Sequence, residues 1–390
     1  MTGRHGCFST IVASFVYLAA LQATSASAGS CPPDCGEPAA PPSAVNIYSE
    51  TTADHLSPAT LDALPRVYVP NHASNTVSVV DSTTLKEVDR FPVGRQPQHV
   101  VPSWDLKTLW VTNNASRTKM GSLTPIDPKT GKPGKTIPTT DPYNMYFMPD
   151  GSSAIVVDEA YKRLDLRDPQ TMAMKSFIPT PTCHGVNHAD FAADNSYAIF
   201  TCEFSGGGLV KVDLSTKKVV GSLKLSKRGM PQDIRLSPDG KVFYVADMMN
   251  DGVFLIDGDS FTEIGFIPTG IGSHGLVVSR DGTKLYVANR GSRKMKGASP
   301  HGPGSVTVID FATRSVTAQW PVPGGGSPDM GNVSADGTQL WLSGRFDGEV
   351  YKFDTISGAV TKVRVGVEPH GLTVWPQPGR YSLGHTGNMR

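Results

Sequence analysis

Four histidines, His99, His188, His274 and His370, each stand at the start of a short apolar run that ends in a tight turn. Neutral imidazole is a ligand for copper, zinc, iron or nickel, and it is the side chain that titrates nearest neutral pH. Two carboxylates, Asp233 and Asp329, and one amide, Asn144, occupy equivalent starts. Brought together, such residues could hold a transition metal (Cu, Zn or Fe), give a haem-like group an axial ligand, or act as acid and base. In the last case His188 or His274 would be the base and Asp233 its partner. Arg290, Arg345 and Glu203 follow Tyr/Val/Phe-rich runs. The arginine fork fits both oxygens of a carboxylate, so the guest expected with them is a small anion.

A repeat can bring these starts together. The stretch "VYVPNHASNTVSVVDSTTLKEV" at Val67–Val88 alternates apolar and polar residues, breaks at Asn-His-Ala-Ser-Asn, alternates again and stops at Asp81. It returns as "FYVADMMNDGVFLIDGDSFTEI" from Phe243, as "LYVANRGSRKMKGASPHGPGSVTVIDFATRSV" from Leu285 and in four further copies. The closing aspartate recurs at Asp81, Asp127, Asp168, Asp213, Asp257, Asp310 and Asp354, at intervals of 41 to 53 residues. Each copy but the first follows a short apolar strand and a turn of the "SPDG" type. The unit is therefore four short strands, and a four-stranded unit repeating every 40–45 residues or so marks a propeller blade. The spacing predicts an all-β, seven-bladed propeller over 65–390. Its first copy lacks the leading strand, and "PHGLTVWPQPG" from Pro369 supplies it, closing the ring as the innermost strand of blade 1. The 40 Gly and 31 Pro suit many short strands and turns.

The strings "YVPN", "WVTN", "YVAN" and "SVTVID" resemble the YVTN-repeat family of secreted bacterial and archaeal propellers, from Pro65 to the C-terminus. The resemblance implies the fold; its motif residues build blades rather than a site. Blades 3 and 4 depart from it, with "VVDE" and "FTCE". More distant similarity runs to the haem-carrying propeller of nitrite reductase, to methylamine dehydrogenase and to lactonase propellers, and no catalytic motif of theirs can be placed here.

In such a ring the starts of the inner strands converge on one face, with the loops that follow the second strands. The starts hold Gln98 and His99, Tyr143 and Asn144, Asn187 and His188, Gln232 and Asp233, His274, Asp329 and His370. Opposite walls of a propeller channel are expected to stand too far apart for one ion, so two adjacent blades and water would complete a metal site. Channel histidines can equally bond water and carbonyls and do nothing else. The rim holds His72, Asn113, Arg117, Glu159, Glu203, Arg290 and Arg345, beside a blade-6 insert, Gly291–Gly304, with Arg293, Lys294, Lys296 and His301. His184 and His188 form H-x3-H on a loop, where the helical zinc geometry does not apply.

The 36 Lys+Arg against 35 Asp+Glu carry no basic stripe for nucleic acid. Residues 1–28 read as a signal peptide, with an apolar run from Phe8 and an Ala-Ser-Ala site at Ala26–Ala28. Residues 29–64 read as a Pro-rich tether and N-terminal extension. "AGSC" also admits a lipidated Cys31. The expected setting is secreted, periplasmic or cell-surface, without a membrane span in the mature chain. Four cysteines then remain, and Cys31–Cys35 with Cys183–Cys202 is the preferred of three pairings. Three readings follow: a monomeric binder of a small ligand, metal or redox cofactor at the axial mouth; a lyase, lactonase-like hydrolase or oxidoreductase component acting on an anionic small molecule; or a scaffold for an envelope protein partner.

Overall fold

The aspartate that closes each third strand does local work in all seven units. One of its oxygens accepts the backbone N–H of Thr84, Lys129, Thr171, Thr216, Ser260, Thr313 or Ser357, at 2.7–2.9 Å. Such a bond reverses the chain within a few residues and starts the fourth strand. The asparagine of the "YVxN" strings is also structural. Asn71, Asn113 and Asn289 donate to hydroxyls on the facing third strand, as in Asn289 Nδ2 to Thr307 Oγ1 at 2.9 Å.

The computed structural model describes residues 45–116, 118, 120–296 and 302–390. The leader at 1–28, Cys31 with its lipidation and its bridge to Cys35, the tether before residue 45, Arg117 and His301 lie outside the described residues. The rest folds as seven antiparallel sheets in ring order, an all-β seven-bladed propeller. Blades 3 to 7 begin with the inner strands Pro142–Phe147, Val186–Phe191, Pro231–Leu236, Ser273–Val278 and Pro328–Val333, and blade 2 with Pro97–Pro102. Blade 2 alone ends irregularly, with Lys132–Pro133 and Ile137–Thr139 both paired to Gly121–Asp127.

Ring closure follows the sequence. Thr373–Trp375 pairs antiparallel with Arg66–Asn71, Trp375 opposite Arg66, as the innermost strand of blade 1. Apolar faces meet between neighbouring blades: Val67 and Val69 of blade 1 pack with Trp341 and Val350 of blade 7, and Tyr244 of blade 5 packs with Leu276 and Val287 of blade 6. Each sheet thus buries on its neighbours what it could not bury alone.

The chain does not stop at the closing strand. Residues 376–390 cross the far end of the channel, where Leu383 O accepts from Phe147 N at 3.0 Å and His385 N donates to Met145 O at 2.8 Å. Asn388 and Arg390 both donate to Asp190 Oδ1, at 2.7 and 2.9 Å. Gly384, at φ +109°, lies so close to Tyr146 that a Cβ would meet its Cα at 2.4 Å. Residues 45–64 pack on this face as well, with Tyr48 Oη donating to Leu236 O at 2.7 Å. Among the described residues no helix is long and apolar enough to cross a membrane.

Candidate axial binding site

Two rings of side chains, one residue per blade in each, meet at the other face. The inner ring is His370, His99, Asn144, His188, Asp233, His274 and Asp329 for blades 1 to 7, all buried. The outer ring is the residue just past each second strand: His72, Asn114, Glu159, Glu203, Met248, Arg290 and Arg345. A cavity of about 240 Å³ opens between them, lined by six of the outer seven together with Tyr143, His274, His370, Met295 and Lys296. Its charge is polarised. Blades 3 and 4 supply Glu159 and Glu203, and blades 6 and 7 supply Arg290 and Arg345. The departures "VVDE" and "FTCE" thus place the acids.

Asp329 organises the basic side. Its carboxylate takes a bidentate fork from Arg290, Nε–Oδ1 2.9 Å and Nη2–Oδ2 3.0 Å. His370 Nδ1 lies 2.6 Å from Oδ2 and His274 Nδ1 2.8 Å from Oδ1. Burial pushes the Asp329 carboxyl up, but Arg290 and the two imidazoles outweigh it and hold it well below the usual range. Burial drives His274 down to about 4 and His370 down to about 3. Both rings are therefore neutral at pH 7, and His370 Nδ1 hydrogen-bonds the Asp329 carboxylate.

Arg345 differs from Arg290. It is buried, its Nε has no hydrogen-bond partner among the described residues, and its Nη1 reaches only Glu368 O at 3.4 Å. Burial and the neighbouring Arg290 both lower its pKa. On the acidic side, Glu203 accepts from Asn187 at 2.8 Å and from Gln232 at 3.1 Å, and Glu159 lines the same cavity. Burial, then the charge of Glu203, raises the Glu159 carboxyl well above its normal range, and burial raises Glu203. Glu159 is therefore the more readily protonated of the two. The Cys183–Cys202 disulfide anchors the strand end that carries Glu203, which removes both sulfurs as metal ligands.

Below the mouth the histidines come closer than expected. Ring centroids lie 5.4 Å apart for His99 and His188, 4.9 Å for His99 and His370, and 6.4 Å for His188 and His274. The channel is narrow because these side chains turn to the axis, so blades 2 and 4, which are not neighbours, meet there. The expectation of widely spaced walls and an adjacent-blade pair is corrected accordingly. A fifth ring, His385 from the C-terminal tail, sits 5.0 Å from His99 and 4.9 Å from His188. It went unnoticed in the sequence, where its only signal is a His flanked by Gly384 and Gly387 in a chain end already used for ring closure.

Other expected pairings are not formed. Asp233 accepts from Arg235 Nη1 at 2.9 Å and from the backbone N–H of Leu276 at 2.9 Å, and its nearest imidazole is His385 at 3.5 Å rather than His188 or His274. It is tied into blade packing, so it does not orient the proposed base. His188 and Asp233 lie in the channel beneath the cavity, whereas His274 is on the cavity wall. In the insert, Arg293 forks onto Asp251, which leaves Lys296 and Met295 to reach the mouth.

Six buried histidines, His72, His99, His188, His274, His370 and His385, have lowered pKa values, chiefly through burial. Below their unfolded pKa near 6.5 the unfolded chain binds protons that the folded chain does not, so stability falls as the pH falls from 6.5 towards about 4. The raised carboxyls Asp158 (to about 7), Glu159, Glu203 and Asp247 act in the opposite sense but are fewer. The denaturant midpoint is expected to be lower at pH 5.5 than at pH 7.5, with equal midpoints contradicting the neutral ring.

Comparison with known proteins fits this architecture. A family model described as YNCE-like beta-propeller matches residues 27–378. The chain belongs to the YNCE-like β-propeller family. A segment of this YNCE-like propeller is 36% identical over 76 residues to lactonase drp35 of Staphylococcus haemolyticus, covering 18% of the chain and only 23% of the lactonase. A candidate 6-phosphogluconolactonase from Bacteroides uniformis superposes with a TM-score of 0.61 at 16% identity, over 79% of this chain and 98% of its own. Dihydro-heme d1 dehydrogenase NirN, in complex with DHE, superposes with a TM-score of 0.58 at 16% identity, over 86% and 83%. At those identities the solved structures share the fold with this propeller.

Proposed function

We propose that this YNCE-like propeller is an exported protein that binds a small organic anion at its axial mouth, between Arg345 and the Glu159–Glu203 pair. The observation that carries the reading is Arg345. A buried guanidinium with no carboxylate in salt-bridge contact among the described residues is costly, by several kcal/mol in order of magnitude, and an incoming carboxylate or phosphate would offset that cost. Protonated Glu159 can donate to the far end of such a ligand. A cavity of about 240 Å³ suits a small molecule and falls short of the 300–1,000 Å³ or so typical of drug-sized guests, which disfavours a haem-like macrocycle. Export is supported by the apolar leader pattern at 1–28 and by the Cys183–Cys202 disulfide, since such bonds persist in oxidising compartments.

Calorimetric titration with a panel of small dicarboxylates, sugar acids and phosphate tests this. The tightest binder is expected to lose roughly 10- to 100-fold in affinity in Arg345→Gln, the equivalent of a charged hydrogen bond or two. Arg293→Gln, on the exposed Arg293–Asp251 pair, should change it less than twofold. Equal binding by wild type and Arg345→Gln would reject the reading.

The Glu159–Glu203 pair favours one second reading, acid–base turnover of the bound anion. A carboxyl held protonated near neutral pH can act as a general acid. In that case Glu203→Gln would abolish turnover of an anionic lactone or ester while leaving its binding within a few fold.

A further inference from the structure

We propose that His99, His188 and His385 form a transition-metal site on the propeller axis, completed by the C-terminal tail. One ring nitrogen from each of the three buried residues lies within 4.8 Å of the other two. Metal–imidazole bonds of about 2.0–2.1 Å place the nitrogens of a tetrahedral ion about 3.4 Å apart, so the rings need to draw in by up to about 1.4 Å.

The hydrogen bonding points the same way. Among the described residues neither Nδ1 nor Nε2 of His99 has a hydrogen-bond partner, and neither does either nitrogen of His188, although both residues are fully buried. Four orphaned polar atoms at one place are rare in a folded chain, and they call for a ligand. His385 is held differently. Asn144 Nδ2 lies 2.9 Å from its Nδ1 and Asp233 Oδ2 lies 3.5 Å from its Nε2. With Nδ1 turned to the metal, the Nε2–H faces the Asp233 carboxylate, the outer-shell support that ligating histidines usually have.

The backbone is shaped around the site. Gly371 lies so close that a Cβ there would meet His99 Nδ1 at 2.0 Å. Tyr143 packs edge-on against His99 and His188, with centroids 5.6 and 5.7 Å away, and also lines the cavity. The ion would therefore sit one side chain beneath the mouth. Three neutral imidazoles without thiolate select copper or zinc over magnesium or calcium. This inference does not depend on the anion reading.

The test uses the full chain without a histidine tag, stripped by chelator and titrated separately with Zn²⁺ and Cu²⁺. Metal content is measured after desalting. One ion per chain is expected, retained by His184→Gln, whose histidine lies on a surface loop. His188→Gln and His385→Gln should each lower affinity at least a hundredfold. Circular dichroism establishes that they are folded, and His99→Gln replaces either variant that is not. Metal should raise the melting temperature of the wild type but not of these variants. A folded wild type that retains no ion would overturn the site, as would equal retention by His188→Gln and His385→Gln, or loss of the ion in His184→Gln.

Discussion

Ending the chain after Glu368 is expected to leave no cooperative thermal transition. Deleting Cys31–Ala44, a Pro-rich stretch without apolar periodicity, should move the melting temperature little. The C-terminal truncation removes the inner strand of blade 1 and bares the whole edge of Arg66–Asn71. It also removes Leu372 and Trp375, both fully buried, and His370 from its bond to Asp329. Asp190 loses Asn388 and Arg390, and the blade-3 inner strand loses its bonds to Leu383 and His385. Truncating a buried Trp to Ala alone costs about 3–5 kcal/mol, and whole domains are stable by only about 5–15 kcal/mol. Circular dichroism on heating decides it, because a melt near that of the intact chain would mean the ring closes without its last strand.

Asp329→Ala is expected to be the most damaging single substitution at the mouth, at about 3–5 kcal/mol, because it strands a buried Arg290 without its counter-charge. It also removes the hydrogen-bond partner of His370 Nδ1. The double change Arg290→Gln with Asp329→Asn removes both charges and should recover most of the loss. Urea midpoints of the three variants measure this. A double variant no more stable than Asp329→Ala would show that shape, and not the unpaired charge, sets the cost.

The blades were legible because their signals are local. Alternation, the turn aspartates and the "YVxN" asparagines each act within about forty residues, and each does in the structure the job its position suggests. The missing first strand of blade 1 was equally readable, as an absence at one end matched by a surplus at the other. The site was only partly readable. Counting back from the turns found every inner-ring residue, because one position per blade must face the axis. It could not say which of these pair. Asp329 takes Arg290 and two histidines, whereas Asp233 is absorbed by Arg235 and the Leu276 backbone, and nothing local distinguishes the two aspartates. The channel width depends on how seven sheets pack and on what plugs them. His385 escaped for the same reason: it reaches the axis by a path of the tail that no periodicity describes.

The central claim is that the mouth is built around an anion at Arg345. Crystals grown with selenate and measured at the selenium edge test it most directly, since the anomalous signal locates the ion without bias. The account expects a selenate within hydrogen-bond reach of Arg345 Nε, lost in Arg345→Gln crystals. Selenate found on surface lysines while the mouth holds none would contradict it.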